Sequence, residues 1–479
     1  MKGNRRKNLI NAFILAAYVA AHLVFISHHE AWGDEAQAWV IAKNTTLPEL
    51  FKALCAEGHP AGWFLVIKLA QVTGLSFRYF SLLSLLLMTA AVALLLWSSP
   101  FPAWQKIVVL LSSAFCYFNP VISRVYSLTV LTVILLARFY EERYEKPVLF
   151  GLLTAVLFQT HVIMAGMAGG LMLALLRRSF SDKKVLPGAL ISLAGFAATF
   201  AELFPRSGVD KSVEYSADML LSGLTVENAL EGLKIIPERL FTWLPGVFTA
   251  LLLVLLALVI ACAIYRFSVY DDILFISACS VGFIAVVSIF LYRTTIHAAT
   301  MLPLIAVFIY WISYDRAGTK FSKAVSVAFI CVLCVGTYRT WFRSARSDYL
   351  RDFSENKRMA DYISTNLEEN SVIIFKDEEL ARVGVYAYVT SDRGDIVFYC
   401  PDTDDEYGFF DWSVTTSPIS NEEAYEMARA EYGRERKYYL LSWKEEDGTG
   451  LEAVFAADEF CEKNDPSYLY IYKEANGDE

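Results

Sequence analysis

Apolar runs of near membrane-spanning length recur along most of this chain, and they constrain its fold more than any other feature. Hydrophobic residues make up 56% of the 479, against about 45–50% in an ordinary soluble domain. The excess sits in stretches such as Phe80 to Met88 and Leu251 to Leu256. Runs of roughly 20 residues with few charges read as transmembrane helices. About eleven are expected, centred on residues 9–27, 77–97, 105–119, 122–140, 147–160, 162–176, 186–203, 243–265, 271–291, 297–314 and 321–338. The N-terminal bases followed by an apolar run resemble a signal peptide. No small-x-small cleavage site precedes His28, so this segment reads as an uncleaved first span.

The net charge of −9 combines two opposite halves. Residues 345–479 carry 32 acidic and 14 basic residues, and residues 1–344 carry 19 acidic and 28 basic ones. Two domains are therefore expected, a membrane domain over 1–344 and a solvated domain over 345–479. Lysine and arginine in short loops orient a membrane protein. Arg5, Arg6 and Lys7, Arg143 with Lys146, Arg177 and Arg178, Lys183 and Lys184, Arg266, and Arg316 with Lys320 and Lys323 would all be cytoplasmic. That pattern fits an odd number of spans, with the N-terminus inside and the acidic domain outside. The absence of a basic patch with interleaved aromatics argues against nucleic acid as a partner.

Two outer loops are long, about 28–76 and 204–240. In the first, Ala61 to Val72 is apolar but interrupted by Lys68 and Gln71, the pattern of a helix lying along the interface. Beyond residue 345 the periodicity changes. Helices are expected over 356–366, 378–388 and 421–432, and strands over 371–375, 395–399, 437–442 and 468–472. Alternation of this kind implies a small α/β domain with a largely parallel sheet. No glycine-rich phosphate loop follows a strand. Cys331 and Cys334 have CxxC spacing but lie in an apolar span, where they read as packing residues. Whether Cys400 and Cys461 pair is left open by the sequence.

The motif Trp32-Gly33-Asp34-Glu35-Ala36-Gln37-Ala38-Trp39 follows the first span directly. It places two carboxylates just past the membrane between interfacial tryptophans, where ionisable groups are costly unless used or paired. Glu57-Gly58-His59-Pro60, Arg124 and Tyr126 after Asn119-Pro120, Thr160-His161, and Arg293 with His297 gather on the same outer face. Each has a bland reading. Asp34 or Glu35 can cap a helix, His59-Pro60 can be a turn, Arg124 and Arg293 can snorkel, His161 can be a packing histidine, and His28 and His29 read as surface residues. Together, cations beside acids at an interface suit a lipid-linked phosphate and a nearby general base.

In order and spacing, Asp34-Glu35-Ala36-Gln37-Ala38-Trp39, Gly58-His59-Pro60, Ser123-Arg124-Val125-Tyr126, Thr160-His161 and the late Arg293/His297 pair resemble the GT-C superfamily of membrane glycosyltransferases. The likeness is to the bacterial family 39-like branch related to protein O-mannosyltransferases and lipid A aminoarabinose transferases, and it covers most of residues 1–340. Ala61 stands where that branch usually has a second proline. The fold this implies is a mainly α, GT-C-like polytopic membrane protein with a C-terminal extracytoplasmic α/β domain. The activity implied is inverting transfer of a sugar from a polyprenyl-phosphate carrier to an extracytoplasmic glycan, lipid or protein hydroxyl. The resemblance makes Asp34 the general base and Glu35 its partner. It makes His59, Arg124, Arg293 and His297 the carrier-phosphate ligands, alongside Tyr126 and His161, with Glu57 a further acid candidate. No cofactor is required by it; metal dependence varies across that superfamily, and no metal-ligand cluster in the sequence settles whether a divalent cation takes part.

Two other classes compete. A transporter or flippase of a lipid-linked or polar solute should place ionisable residues at mid-membrane and show internal repeats; here the spans are largely free of charge and no repeat is visible. A non-catalytic assembly or sensor protein would concentrate its function in residues 345–479.

Overall fold

The computed structural model describes residues 2–204, 225–242, 244–266, 272–287, 299–316, 319–375, 382–411, 419–446, 450–457, 461 and 466–473. Its first half is helical: α1 (Lys2–His28), α2 (Gly33–Asn44), α3 (Leu47–Glu57), α4 (Gly62–Val72), α5 (Ser81–Ser98), α6 (Ala103–Leu110), α7 (Tyr126–Phe139), α8 (Pro147–Phe158), α9 (Ala165–Ser181) and α10 (Leu186–Leu203). Helices α11 (Val226–Leu240), α12 (Pro245–Arg266), α13 (Asp272–Val286), α14 (Met301–Ser313), α15 (Lys320–Gly336) and α16 (Tyr338–Leu350) follow. Among the described residues, five helical stretches are long and apolar enough to cross a membrane: Arg5–His28, Phe77–Ser98, Val162–Ser181, Lys183–Leu203 and Lys320–Leu350. This is the build of a membrane protein.

Several expected spans are shorter helices, Tyr126–Phe139, Pro147–Phe158 and Asp272–Val286 among them. The run 105–119 is not one helix. Helix α6 stops at Leu110, and the chain continues to Val125 in turns. The reason is local. Ser112 and Cys116 donate to carbonyls at Val109 and Leu110, Asn119 donates to Ala114 O, and Tyr117 adopts φ +61°. These side chains offer the backbone partners other than a helix ladder. The run is apolar because it is buried within the protein.

Helix contacts rest on small residues. An added Cβ at Gly151 would lie 2.3 Å from Gly188 O, and one at Gly188 would lie 2.1 Å from Pro147 O. A Cβ at Gly166 would meet Cys279 O at 2.5 Å. Such close backbone approach is how helices pack without a hydrophobic driving force in lipid. Gly62, at the start of α4, serves the segment after α3 in the same way, since a Cβ there would sit 2.2 Å from Gln159 O.

The C-terminal elements are α17 (Asn356–Asn366), β1 (Val372–Phe375), α18 (Val383–Asp392), β2 (Val397–Cys400), β3 (Asp405–Glu406), α19 (Asn421–Tyr432), β4 (Tyr438–Ser442), β5 (Leu451–Ala457) and β6 (Ser467–Tyr472). The sheet order is β3-β2-β1-β4-β6-β5. Strand β1 pairs in parallel with β2 and β4, while β2–β3, β4–β6 and β5–β6 are antiparallel. The sheet is thus mixed rather than largely parallel. Strand β5, whose Glu and Ala content gives weak strand propensity, escaped the periodicity; it pairs antiparallel with β6, which itself runs antiparallel to β4. Strand β1 is buried on both faces, as its unbroken Val-Ile-Ile-Phe run demands. Helix α19 covers one face, and α17 and α18 cover the other.

This second face also packs on the membrane half. Trp39, Trp63, Phe77 and Phe80 share a core with Met359, Val383 and Tyr388. Arg78 grips Asp392 and Asp361 at 2.6 Å, Tyr388 Oη accepts from Ala31 N at 2.9 Å, and Lys43 donates to Thr390 O at 3.0 Å. Helix α16 runs straight through the expected domain boundary at residue 344.

Gly188→Leu should destabilise the purified protein by at least the roughly 1–3 kcal/mol typical of overpacking, read as a lower melting temperature in detergent. Gly169→Ala, where an added Cβ meets nothing within 4 Å, should melt with the wild type.

Candidate active site

Adjacent residues on a helix point about 100° apart, so the Asp34–Glu35 pair at the start of α2 serves two environments. Glu35 turns inward and its side chain is fully buried. One carboxylate oxygen accepts from His29 Nε2 at 3.0 Å and from Trp32 N at 3.3 Å, the latter capping the helix. The other accepts from Ser123 N at 2.5 Å. His29 donates its second ring N–H, Nδ1, to Asp348 Oδ2 at 2.9 Å, and Tyr117 Oη donates to the same oxygen at 2.9 Å.

His29 is therefore not a surface residue. Burial opposes its charge, but the flanking Glu35 and Asp348 carboxylates outweigh burial and raise its pKa to about 10. Beside it, burial lifts Glu30 to about 7, against the pull of Lys357 at 3.5 Å. His28 stays exposed and packs against Tyr349, its ring tilted and the centroids 4.2 Å apart.

Asp34 faces outward and its side chain is 23% exposed. Its Oδ2 accepts from Arg124 Nη1 at 2.8 Å. The two acids cooperate: Glu35 holds the backbone N–H of Ser123, and the next residue, Arg124, reaches Asp34. Arg124 in turn lies 5.7 Å over the Tyr126 ring. Tyr126 stacks on His161 with ring centroids 5.1 Å apart and its hydroxyl 3.3 Å from His161 Nε2. His161 Nδ1 accepts from Ile163 N at 3.1 Å, which leaves the ring proton on Nε2, facing Tyr126.

His161 meets His59 edge-on at 5.4 Å, an approach made possible by the contact of Gly62 with Gln159. His59 Nδ1 donates to the Glu57 carbonyl at 2.9 Å. The Glu57 carboxylate accepts from Gln37 Nε2 at 2.8 Å, and Gln37 lies one turn along α2 from Asp34. The contacts thus form a closed circuit: Asp34, Arg124, Tyr126, His161, His59, Glu57, Gln37 and back to α2. Gln37 also bonds both the carbonyl (2.6 Å) and the amide (3.1 Å) of Phe410, so the C-terminal domain closes one side.

The structure brings seven of the nine sequence candidates into this neighbourhood. Arg293 and His297 lie outside the described residues. Sequence reasoning missed His29, Tyr117, Asp348 and Gln37 as participants. Gln37 and His29 stood close to the motif, but nothing in the sequence links them to Asp348, 319 residues from His29. Among the described residues, no group of three or more His, Cys, Asp or Glu side chains is arranged to hold a metal ion. Chemically, the circuit offers a partly exposed carboxylate, a guanidinium, two imidazoles and a phenol. No family model matches the chain, and no curated protein matches it.

His29 has a folded pKa above its ordinary 6.5, so its contribution to stability is complete below pH 6.5 and is lost as pH rises toward 10. Glu30, also raised, adds a loss of the same sign between pH 4.5 and 7. Melting temperature should therefore fall from pH 6 to pH 10. His29→Gln should lower stability at pH 6 by about 3–5 kcal/mol, the usual result of removing one partner of a buried ion pair. It should also flatten the slope above pH 7.

Proposed function

We propose that the chain is a membrane glycosyltransferase that moves a sugar from a polyprenyl-phosphate carrier to an acceptor hydroxyl. The observation that carries this reading is Asp34, a partly exposed carboxylate held 2.8 Å from Arg124 within a circuit of imidazoles. A phosphate needs cationic and N–H donors, and an acceptor hydroxyl needs a base. The circuit supplies both within one turn of α2 and its neighbours. The likeness of Asp34-Glu35, Gly58-His59-Pro60, Ser123-Arg124-Val125-Tyr126 and Thr160-His161 to the GT-C motifs points the same way.

In the proposed step, Asp34 takes the acceptor proton. The acceptor oxygen attacks the anomeric carbon from the face opposite the phosphate, and the bond from that carbon to the phosphate oxygen breaks. Polyprenyl phosphate leaves with the electron pair, the proton stays on Asp34, and the anomeric centre inverts. Arg124, His59 and His161 stabilise the charge developing on the departing phosphate, with Arg293 and His297 proposed to join them. The guanidinium fork suits phosphate geometry, so arrival of the carrier competes with Asp34 for Arg124 and releases the base when the donor is in place. Glu35 is a positioning residue in this scheme, because it holds Ser123 and thereby Arg124. Tyr126 orients His161, and Glu57 braces α2 through Gln37.

The reading includes about eleven spans, a cytoplasmic N-terminus and an extracytoplasmic C-terminal domain that lends the acceptor side its wall through Phe410. The partners are a polyprenyl-phosphate sugar, an extracytoplasmic glycan, lipid or protein, and membrane lipid.

The test is sugar transfer by purified protein in lipid with radiolabelled polyprenyl-phosphate sugars. Asp34→Asn should lower turnover by about 10²–10⁴-fold, the share of a general base, without loss of folding. Arg124→Ala should lower it by about 10²–10³-fold. Full activity in Asp34→Asn would exclude Asp34 as the base. No turnover by a folded wild type with any donor would favour the transporter reading.

A further inference from the structure

At the opposite end of α1 from the circuit lies a cavity of about 520 Å³, lined by Arg6, Lys7, Asn11, Phe101, Lys106 and Tyr314 among others. Lys7 and His29 are separated by roughly 30 Å of helix rise, close to the thickness of a hydrocarbon core. The cavity therefore sits at the other membrane surface.

Its walls are built. Lys106 is 1% exposed, and its ammonium donates to Leu96 O, which also accepts from Asn11 Nδ2 at 2.7 Å. Phe101 is fixed by stacking on Tyr310 at 4.9 Å and by edge contacts with Trp311 and Tyr314 at 5.8 and 5.4 Å. Among the described residues that line the space, three are cations and none is a carboxylate. The rims are apolar and outward-facing: Leu9 and Phe13 on α1 are 64% and 75% exposed, and Trp104 on α6 is 51% exposed.

A ligand matching this combination carries a net negative head and hydrocarbon tails. We propose that the cavity binds the phosphate headgroup of an anionic phospholipid. The phosphate lies among Arg6, Lys7 and Lys106, and the acyl chains run along the exposed faces of α1 and α6. A zwitterionic head would bring its own cation toward three others. The site rests on placement in a membrane alone and is independent of the proposed transfer reaction, so failure of either leaves the other standing.

The full chain, reconstituted in nanodiscs of phosphatidylcholine with a minority of phosphatidylglycerol and released for native mass spectrometry, should retain phosphatidylglycerol far above its share. Each cation near a membrane surface is worth about fivefold in anion affinity, so Arg6→Gln/Lys7→Gln should cut the retention by roughly 25-fold. If that pair fails to fold, Lys7→Gln alone, at an exposed position, should cut it about fivefold. Lys183→Gln/Lys184→Gln, the same loss of charge at exposed positions that do not line the cavity, should cut retention far less. Excess soluble glycerol 3-phosphate should not displace the lipid. Equal loss in the two double variants, no enrichment over phosphatidylcholine, or displacement by the soluble phosphate would each overturn the proposal.

Discussion

His29 stands between Glu35 and Asp348, with no exposed side-chain surface, and the end of the molecule that holds the circuit depends on that bridge. It joins the last turn of α1, the first turn of α2 and the far end of α16, and Tyr117 ties in the buried turns between α6 and α7. A buried ion pair gives little net stability over an apolar contact of the same shape, but it is costly to leave half made. Its value here is geometric. The bridge fixes the direction in which α2 leaves α1, Glu35 then fixes Ser123, and only in that arrangement does Arg124 meet Asp34. The exposed half of the carboxylate pair is aimed by the buried half.

The C-terminal domain belongs to the same construction. Its acidic surplus keeps it solvated, yet the face it turns toward the membrane half is apolar and carries specific polar contacts. Arg78 is clasped by two of its aspartates, and Gln37 is clasped by the backbone of Phe410. A domain tied to α2 in this way cannot move without moving Gln37 and Glu57. The acidic part thus carries its own sheet and also forms one wall of the circuit.

Much of this was legible in the sequence. Apolar runs reported membrane helices, and helices 356–366 and 421–432 were bounded correctly by their periodicity. Motif residues from four separate segments lie together in the structure. What escaped depends on long-range burial. The run 105–119 has the composition of a span, but its serines, Asn119 and Tyr117 divert it into buried turns, and composition alone does not distinguish burial in protein from burial in lipid. His29 beside exposed His28 read as surface because its two carboxylates come from elsewhere, one of them 319 residues away. The division of labour between Asp34 and Glu35 follows from the direction of α2, which the bridge to Asp348 sets.

The most direct measurement is a cryo-electron microscopy structure of the protein in nanodiscs with bound polyprenyl phosphate. The account predicts phosphate density within hydrogen-bond distance of Arg124, next to His59 and His161, with Asp34 released from the guanidinium and the His29 bridge intact. Phosphate bound elsewhere, with the Asp34–Arg124 pair undisturbed, would contradict it.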